Sequence, residues 1–457
     1  MGVRGQLPFH SSSSVLNAQL ATHTNAHAYI SFLSTKQMGR KKNRLARKLK
    51  RLFSVGNGHR DAETAARVNA CLQQEDVAEL RDISTTKGMV SGSLRKRAWP
   101  YLIDARATNV YGAGDEALAY QRHASTSHKD DSVVDADIER SLWKFSEGWT
   151  DEERAIERAR LKNIINACLE GNEQGIYYYQ GLHDVASVLL LVCGEGAAHG
   201  MLHRLMRCHL RDCTRATMDP AIRTLRLLYP ILRRADKELY ECIHGLSLIE
   251  PALEMPYFAL SWYMTWFAHD TDSLEDVSRL FDLFMASHPM MSLYVAAEVL
   301  VGARKQILKL GKGKNASVED VYSYLNKLSI TGPGRPGIDE LIKRAVALFK
   351  AVPPQELTSG KLKRDLVGSS SVPFAYLDAD GRWLVPPVDD HTEALADIKS
   401  FALSGRRSIK PSMSSMSSLR ALQDSIQTQL HAAGYSAVVG AAAVVIAGVV
   451  TATSSWS

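Results

Sequence analysis

Three short clusters hold residues whose types and spacing can do chemistry. LRKRAWP places Arg95 and Trp99 four apart, hence on one helix face, just ahead of Pro100. VDADIER places Asp137 and Arg140 three apart, again on one face. IYYYQGLHD carries Tyr178, Gln180 and Gly181 in a glycine-punctuated turn before a new apolar helix. Together they offer permanent cations, a carboxylate, an amide and a phenol, which is a chemistry of charge placement and hydrogen bonding. Each cluster also has a plain structural reading. Arg95 over Trp99 reads as a surface cation–π pair. Asp137 with Arg140 reads as a helix-surface ion pair, and Tyr178 with Gln180 as a helix start whose amide caps the backbone.

More familiar catalytic signatures are missing or false. GPGRPG at 332–337 matches G-x-G-x-x-G in form, but it carries two prolines and lies between helices with no strand before it, so it is not a dinucleotide site. No P-loop is present. Cys208, His209 and Cys213, with His203 nearby, have no second Cys/His pair at a zinc-site spacing, so no metal is expected.

The elements that must position these clusters are helical. From residue 81 to 354 the apolar pattern repeats at three and four. Thr150 with Glu153 forms a capping-box pair. Leu161, Ile164, Ile165, Cys168 and Leu169 then make one buried face, and Gly171 sits where a left-handed cap is expected. Further helices are expected over 221–232, 253–267, 274–286, 293–308, 318–328 and 338–349. The connections GKGKN and TGPGRPG are short, and no alternating strand pairs are evident. The fold class is therefore all-α, with one helical domain over 81–354 large enough for a substantial core.

The chain has 457 residues, 45% hydrophobic and 23% charged, and a net charge of +6. Arg40 to Arg51 alone holds eight Lys or Arg and no acid, which leaves the remainder at about −2. The body is thus not a basic, nucleic-acid-like domain, and no nucleic-acid partner is expected. Residues 1–38, rich in Ser, Ala, Thr and His, read as disordered. They show no signal peptide, and Gln6 argues against myristoylation. Residues 39–80 read as a basic helical lead-in, with Leu45, Leu49, Leu52 and Phe53 on one face. Residues 40–53 have three competing readings: a nuclear-import or nucleic-acid patch, a helix on anionic lipid, and a solvated helix leading into the domain. The apolar stripe favours the last two. Residues 355–430 read as a linker.

Residues 431–457 form a different object. No charged residue lies between Ala432 and Ser457. The segment 435–453 is ~19 residues, about 28 Å as a helix. That matches an endoplasmic reticulum bilayer core of roughly 27 Å. Arg406, Arg407, Lys410 and Arg420 precede it and no basic residue follows, so a C-terminal transmembrane anchor with the main domain in the cytosol is expected.

Taken together, R-x-x-x-W, then V-x-x-D-x-x-R, then Y-x-Q-G inside an all-α domain of this size resembles the TBC domain of Rab GTPase-activating proteins, over about residues 81–350. Val134 stands where the family usually has Ile. The stretches DIERSLWKF, YYYQGLHD, HLRDCTRATMDP, LSWYMTWFAHD and RLFDLFMASHPMMSLYVAA are closer still to a tail-anchored endoplasmic reticulum subtype.

The resemblance implies a GTPase activator. Small GTPases hydrolyse GTP slowly because the transition-state charge is not neutralised and the attacking water is poorly held. An inserted arginine is worth about 10³–10⁵ in rate. By resemblance Arg140 is the arginine finger and Gln180 the glutamine finger that aligns water. Asp137 pre-orients the guanidinium or contacts the GTPase. Tyr178 positions the Gln turn and Gly181 allows close backbone approach. Arg95 and Trp99 build the domain. The implied partner is a Rab of endoplasmic reticulum to Golgi transport, which brings the GTP and Mg²⁺; no cofactor of the chain's own is expected. The implied location is the endoplasmic reticulum membrane. A catalytically inert Rab-binding scaffold on the same membrane is the alternative.

Overall fold

The computed structural model describes residues 58–357, apart from 106, 113, 170–174, 247–252, 313–315 and 331–335. The expectations of a disordered N-terminus, a helix over the basic run 40–53, a cap at Gly171, a linker over 358–430 and a membrane span over 435–453 fall outside the described residues, as does most of the TGPGRPG connection. Among the described residues there is no strand, and no helix is long and apolar enough to cross a membrane. The expectation of an all-α domain holds there.

The helices, in chain order, are α1 (Gly58–Gln74), α2 (Val77–Thr86), α3 (Gly92–Leu102), α4 (Asp115–Ser125), α5 (Asp131–Arg140) and α6 (Asp151–Leu169). Next come α7 (Leu182–Cys193), α8 (Glu195–Arg207), α9 (Asp219–Leu225), α10 (Leu228–Ala235), α11 (Lys237–Leu246) and α12 (Leu260–Met264). The last are α13 (Leu274–Ala286), α14 (Met291–Gly302), α15 (Arg304–Gly311), α16 (Val318–Asn326), α17 (Ile338–Ala351) and α18 (Pro354–Leu357).

Local chemistry explains where several of them start. The Thr150–Glu153 capping box forms as expected: Glu153 N donates to Thr150 Oγ1 at 3.2 Å, and Thr150 N to Glu153 Oε2 at 2.9 Å. Asp76, Ser91, Ser273 and Ser317 each accept an N–H of the first turn of α2, α3, α13 and α16. Packing supplies the rest. Every residue of α7 except Asp184 is buried, because the helix is covered on several sides by α3, α6, α8 and α13. In the C-terminal half α14 plays the same part, packed by α10, α12 and α17. Helix α13 lies between the two halves and touches α2, α3, α7 and α17. Packed structure begins ahead of residue 81: Val68 and Cys71 of α1 and Leu80 of α2 sit in the main core.

Three expected helices are broken. The 221–232 stretch is divided between α9 and α10. The 293–308 stretch is divided at Gly302–Ala303, next to a glycine that weakens any helix interior. The 253–267 stretch keeps only a 3-10 turn, Tyr257–Ala259, and the short α12. Pro256 has no N–H to donate, and Trp266 and Phe267 adopt φ of 52° and 64°, which ends the helix. Left-handed backbone costs about 1–2 kcal/mol per residue. Burial of both rings offsets it: Trp266 packs edge-on against Phe281 at 5.2 Å, and Phe267 stacks on Trp262 at 5.8 Å.

Arg95 and Trp99 are not a surface cation–π pair. Both are fully buried and point from α3 to α13. Arg95 Nε lies 3.2 Å from Asp282 Oδ1, and its Nη1 donates to Glu275 Oε1 at 2.8 Å. Trp99 Nε1 donates to the same Asp282 Oδ1 at 2.7 Å, and Met89 N to Asp282 Oδ2 at 3.0 Å. A guanidinium buried this deeply needs a counter-ion and filled donors, and Asp282 provides both.

Candidate functional site

The second and third motifs meet at one cleft. Arg140 is the last residue of α5, where a cation faces the negative end of the helix dipole. Its side chain is about half exposed but folded back: Nε donates to Ala136 O at 3.1 Å and Nη2 to Asp137 Oδ1 at 2.5 Å. Asp137 itself is fully buried. The expected i, i+3 pair is therefore present, but as a buried carboxylate holding an exposed guanidinium rather than two solvated side chains.

The third motif reaches the same carboxylate. Tyr177 N donates to Thr214 O at 2.8 Å, and Tyr179 Oη to Met264 O at 2.9 Å. These two bonds anchor the segment on either side of Tyr178. Tyr178 Oη then donates to Asp137 Oδ2 at 2.7 Å. Gly181 caps the start of α7 with φ at 107°, a backbone conformation that side chains with a Cβ rarely adopt. Its role in the structure is thus conformational: it turns the chain from Gln180 into α7.

Arg140 and Gln180 line one cleft of about 240 Å³, with Asp137, His183, Asp184 and His269 in its wall. Arg95 and Trp99 do not line it. Trp143 and Lys144 stand at its edge in the turn after α5, where Leu142 takes a φ of 66°. Trp143 is 56% exposed, and the Arg154 and Arg158 guanidinium groups lie 3.9 and 5.0 Å from its ring centroid. Lys144 Nζ donates to His269 O.

Three members of the wall, His183, Asp184 and His269, carry no role in the sequence reading. His183 Nδ1 lies 3.2 Å from Asp137 Oδ2, and its Nε2 lies 3.5 Å from Asp184 Oδ1. His269 Nδ1 lies 3.0 Å from Asp184 Oδ2. Burial works against charge on Asp137, but His183, Tyr178 and Arg140 outweigh it and hold the carboxyl below its ordinary range. Burial likewise opposes charge on His183, and Asp184 and Asp137 outweigh it, raising the imidazole above its ordinary value. The bond to Asp184 raises His269 too. Burial, then Asp137, keeps the Tyr178 phenol protonated. The signal for His183 and Asp184 was their place just after Q-G-L; His269 lies in the LSWYMTWFAHD stretch, but nothing local ties it to the site, because it stands 85 positions from Asp184 in the chain.

The arrangement places a half-exposed permanent cation and an uncharged amide on the wall of one cleft. Beside them is a largely buried cluster of carboxylates and imidazoles, Asp137, His183, Asp184 and His269. Such a pair can neutralise charge and orient water on a group presented from outside.

Residues 92–308 match the model of the Rab-GTPase-TBC domain. Over 283 residues the chain is 32% identical to TBC1 domain family member 20 of Homo sapiens, covering 62% of this chain and 65% of that protein. The chain therefore spans just under two thirds of that relative's length. It is 31% identical over 287 residues to GTPase-activating protein gyp10 of Schizosaccharomyces pombe, covering 63% of this chain and 72% of that protein. A solved structure of the Chlamydomonas flagellar RabGAP TBC domain superposes with a TM-score of 0.46 at 17% identity, over 65% of this chain and 93% of that one. On its sequence similarity to these relatives the chain belongs to the Rab-GTPase-TBC domain family.

Proposed function

We propose that this protein accelerates GTP hydrolysis by a Rab small GTPase, inserting Arg140 as an arginine finger and Gln180 as a glutamine finger. The observation that carries the reading is the convergence of Arg140 and Gln180, from two separate motifs, on one cleft. Family membership supports it, as does the relative named GTPase-activating protein gyp10. The GTPase brings GTP and Mg²⁺. Arg140 leaves Asp137 to meet the transferring phosphoryl charge, where its planar, permanently charged fork cannot be copied by Lys. The Gln180 amide donates and accepts without adding charge, and so orients the attacking water.

The same reading extends to place. The uncharged 435–453 segment and the basic residues before it support a single C-terminal span with the catalytic domain in the cytosol. The resemblance of stretches such as DIERSLWKF and YYYQGLHD to the tail-anchored endoplasmic reticulum subtype suggests a Rab of endoplasmic reticulum to Golgi transport as the substrate. Residues 40–53 are proposed to lie on anionic lipid of the same membrane.

The test is phosphate release from a panel of GTP-loaded Rabs with the full chain. At least one Rab is expected to speed up by about 10³-fold or more, and Arg140→Ala to remove most of that gain. Equal stimulation by wild type and Arg140→Ala defeats the reading of Arg140 as the finger, and Rab binding with no stimulation leaves the inert scaffold. Imaging a fluorescent fusion with and without residues 432–457 tests the anchor; a reticular pattern is expected only when the segment is present.

A further inference from the structure

His183 stands between two carboxylates. Its Nδ1 faces Asp137 Oδ2 at 3.2 Å and Tyr178 Oη at 3.3 Å, and its Nε2 faces Asp184 Oδ1 at 3.5 Å. A carboxylate only accepts, so a ring nitrogen facing one bonds to it only when it carries a proton. A ring protonated on both nitrogens, the imidazolium, is the form that suits both neighbours, and burial is outweighed in its favour by Asp184 and Asp137. Other charged groups surround it. Asp137 and Arg140 come from α5, Asp184 from α7 itself, His269 from the turn after α12, and Lys144 from the turn after α5. Asp137 is faced by Arg140, His183 and the Tyr178 hydroxyl, and Asp184 by His183, His269 and Lys144.

At rest Arg140 is folded onto Asp137. An arginine that inserts into a partner must leave that carboxylate, and Asp137 is fully buried. A buried carboxylate stripped of its counter-ion is costly. We propose that His183 is a positioning residue for Arg140: as an imidazolium it stays on Asp137 and keeps that carboxylate paired while the guanidinium swings out. This rests on the reading of Arg140 as the inserted arginine. It has a consequence for pH. When His183 loses its proton, the neutral ring keeps one N–H for its two carboxylate neighbours and no longer brings a positive charge, so Asp137 grips the guanidinium harder and release becomes slower.

Two measurements on the full chain in detergent decide the matter. The first is the ¹⁵N spectrum of histidine-labelled protein, with His183 identified by the signals lost in His183→Gln. An unperturbed histidine titrates near about 6.5 and is mostly neutral at pH 7.5. His183 is expected to show two protonated nitrogens there, and a bare nitrogen overturns the proposal. The second is single-turnover hydrolysis on a responsive GTP-loaded Rab between pH 6.5 and 9, each rate divided by that of the Rab alone. Wild-type kcat is expected to fall with rising pH. His183→Asn keeps a donor to Asp137 but cannot titrate. It is expected to give a pH-independent kcat about tenfold below wild type at the lower pH, with KM for the Rab within about twofold. A His183→Asn profile that parallels wild type overturns the proposal. If no Rab responds to wild type, the reading of Arg140 fails, and the nitrogen spectrum still decides whether His183 is the imidazolium.

Discussion

Tyr178 and Arg140 hold opposite oxygens of one buried carboxylate, Oδ2 and Oδ1 of Asp137. The hydroxyl bond fixes the plane of the carboxyl group and therefore the direction in which Oδ1 meets the guanidinium. A hydrogen bond to a charged group is worth about 1.5–3 kcal/mol. Tyr178→Phe removes the donor and leaves the ring. Its kcat on a responsive Rab is expected to drop by about tenfold with KM little changed, since what is lost is alignment. Stopped-flow phosphate release reads this out, and an unaltered kcat would remove Tyr178 from the site.

Gly181 carries a φ of 107° at the start of α7. Forcing a Cβ into a left-handed backbone costs about 1–2 kcal/mol. Gly181→Ala is expected to lower the unfolding free energy by about that amount. Because the turn aims Gln180, it is also expected to lose activity beyond the stability loss. Chemical denaturation and turnover measured on one preparation separate the two effects.

The parts that were legible from the sequence are those set by neighbours along the chain. The Thr150–Glu153 box and the apolar faces of α6, α13 and α17 depend on residues within a turn or two. The breaks near Pro256 and Gly302 were visible as residue types, yet the apolar pattern ran straight through them. The site was legible as three separate clusters. Their likeness to a known family, not their spacing, suggested that the second and third act together. Glu275, Asp282 and His269 stayed hidden because each works on residues far away in the chain. The surface cation–π reading of Arg95 and Trp99 fails for the same reason, while the reading that they build the domain fits their burial: a cation four residues from a tryptophan looks the same whether the face it shares is wet or buried.

Asp282 takes donors from Arg95, Trp99 and Met89. Removing one partner of a buried pair costs about 3–5 kcal/mol, because the other charge stays behind. Asp282→Ala is expected to lose that much stability or to fail to fold. The pair Arg95→Met with Asp282→Leu leaves no stranded charge and should recover part of the loss. Urea unfolding followed by tryptophan fluorescence provides the measurement; a double variant no more stable than Asp282→Ala would refute this account of the pair.

Stability should depend on pH from two sides. Raised His183 and His269 contribute fully below about pH 6.5 and lose that contribution as pH climbs through their folded values. Lowered Asp137 and Asp184 contribute above about pH 4 and lose it as pH falls through theirs. The stability difference between wild type and Asp137→Asn is therefore expected to be largest between roughly pH 4 and 6.5 and to shrink on both sides. A difference that stays constant from pH 3 to 9 would contradict the charge pairing.

The clasp between α3 and α13 joins residues 187 positions apart. A ribosome adding about 5–20 residues per second makes Arg95 roughly 10–40 s before it makes Asp282. During that interval the arginine has no counter-ion and must stay in water. Helix α3 cannot settle into its final seat, and the N-terminal half, with Arg140 and Gln180 already synthesised, has no finished wall to close against. Completion of the domain waits on its late helices. A nascent chain stalled before α13 is expected to be a substrate for chaperones and proteases rather than a half-built activator.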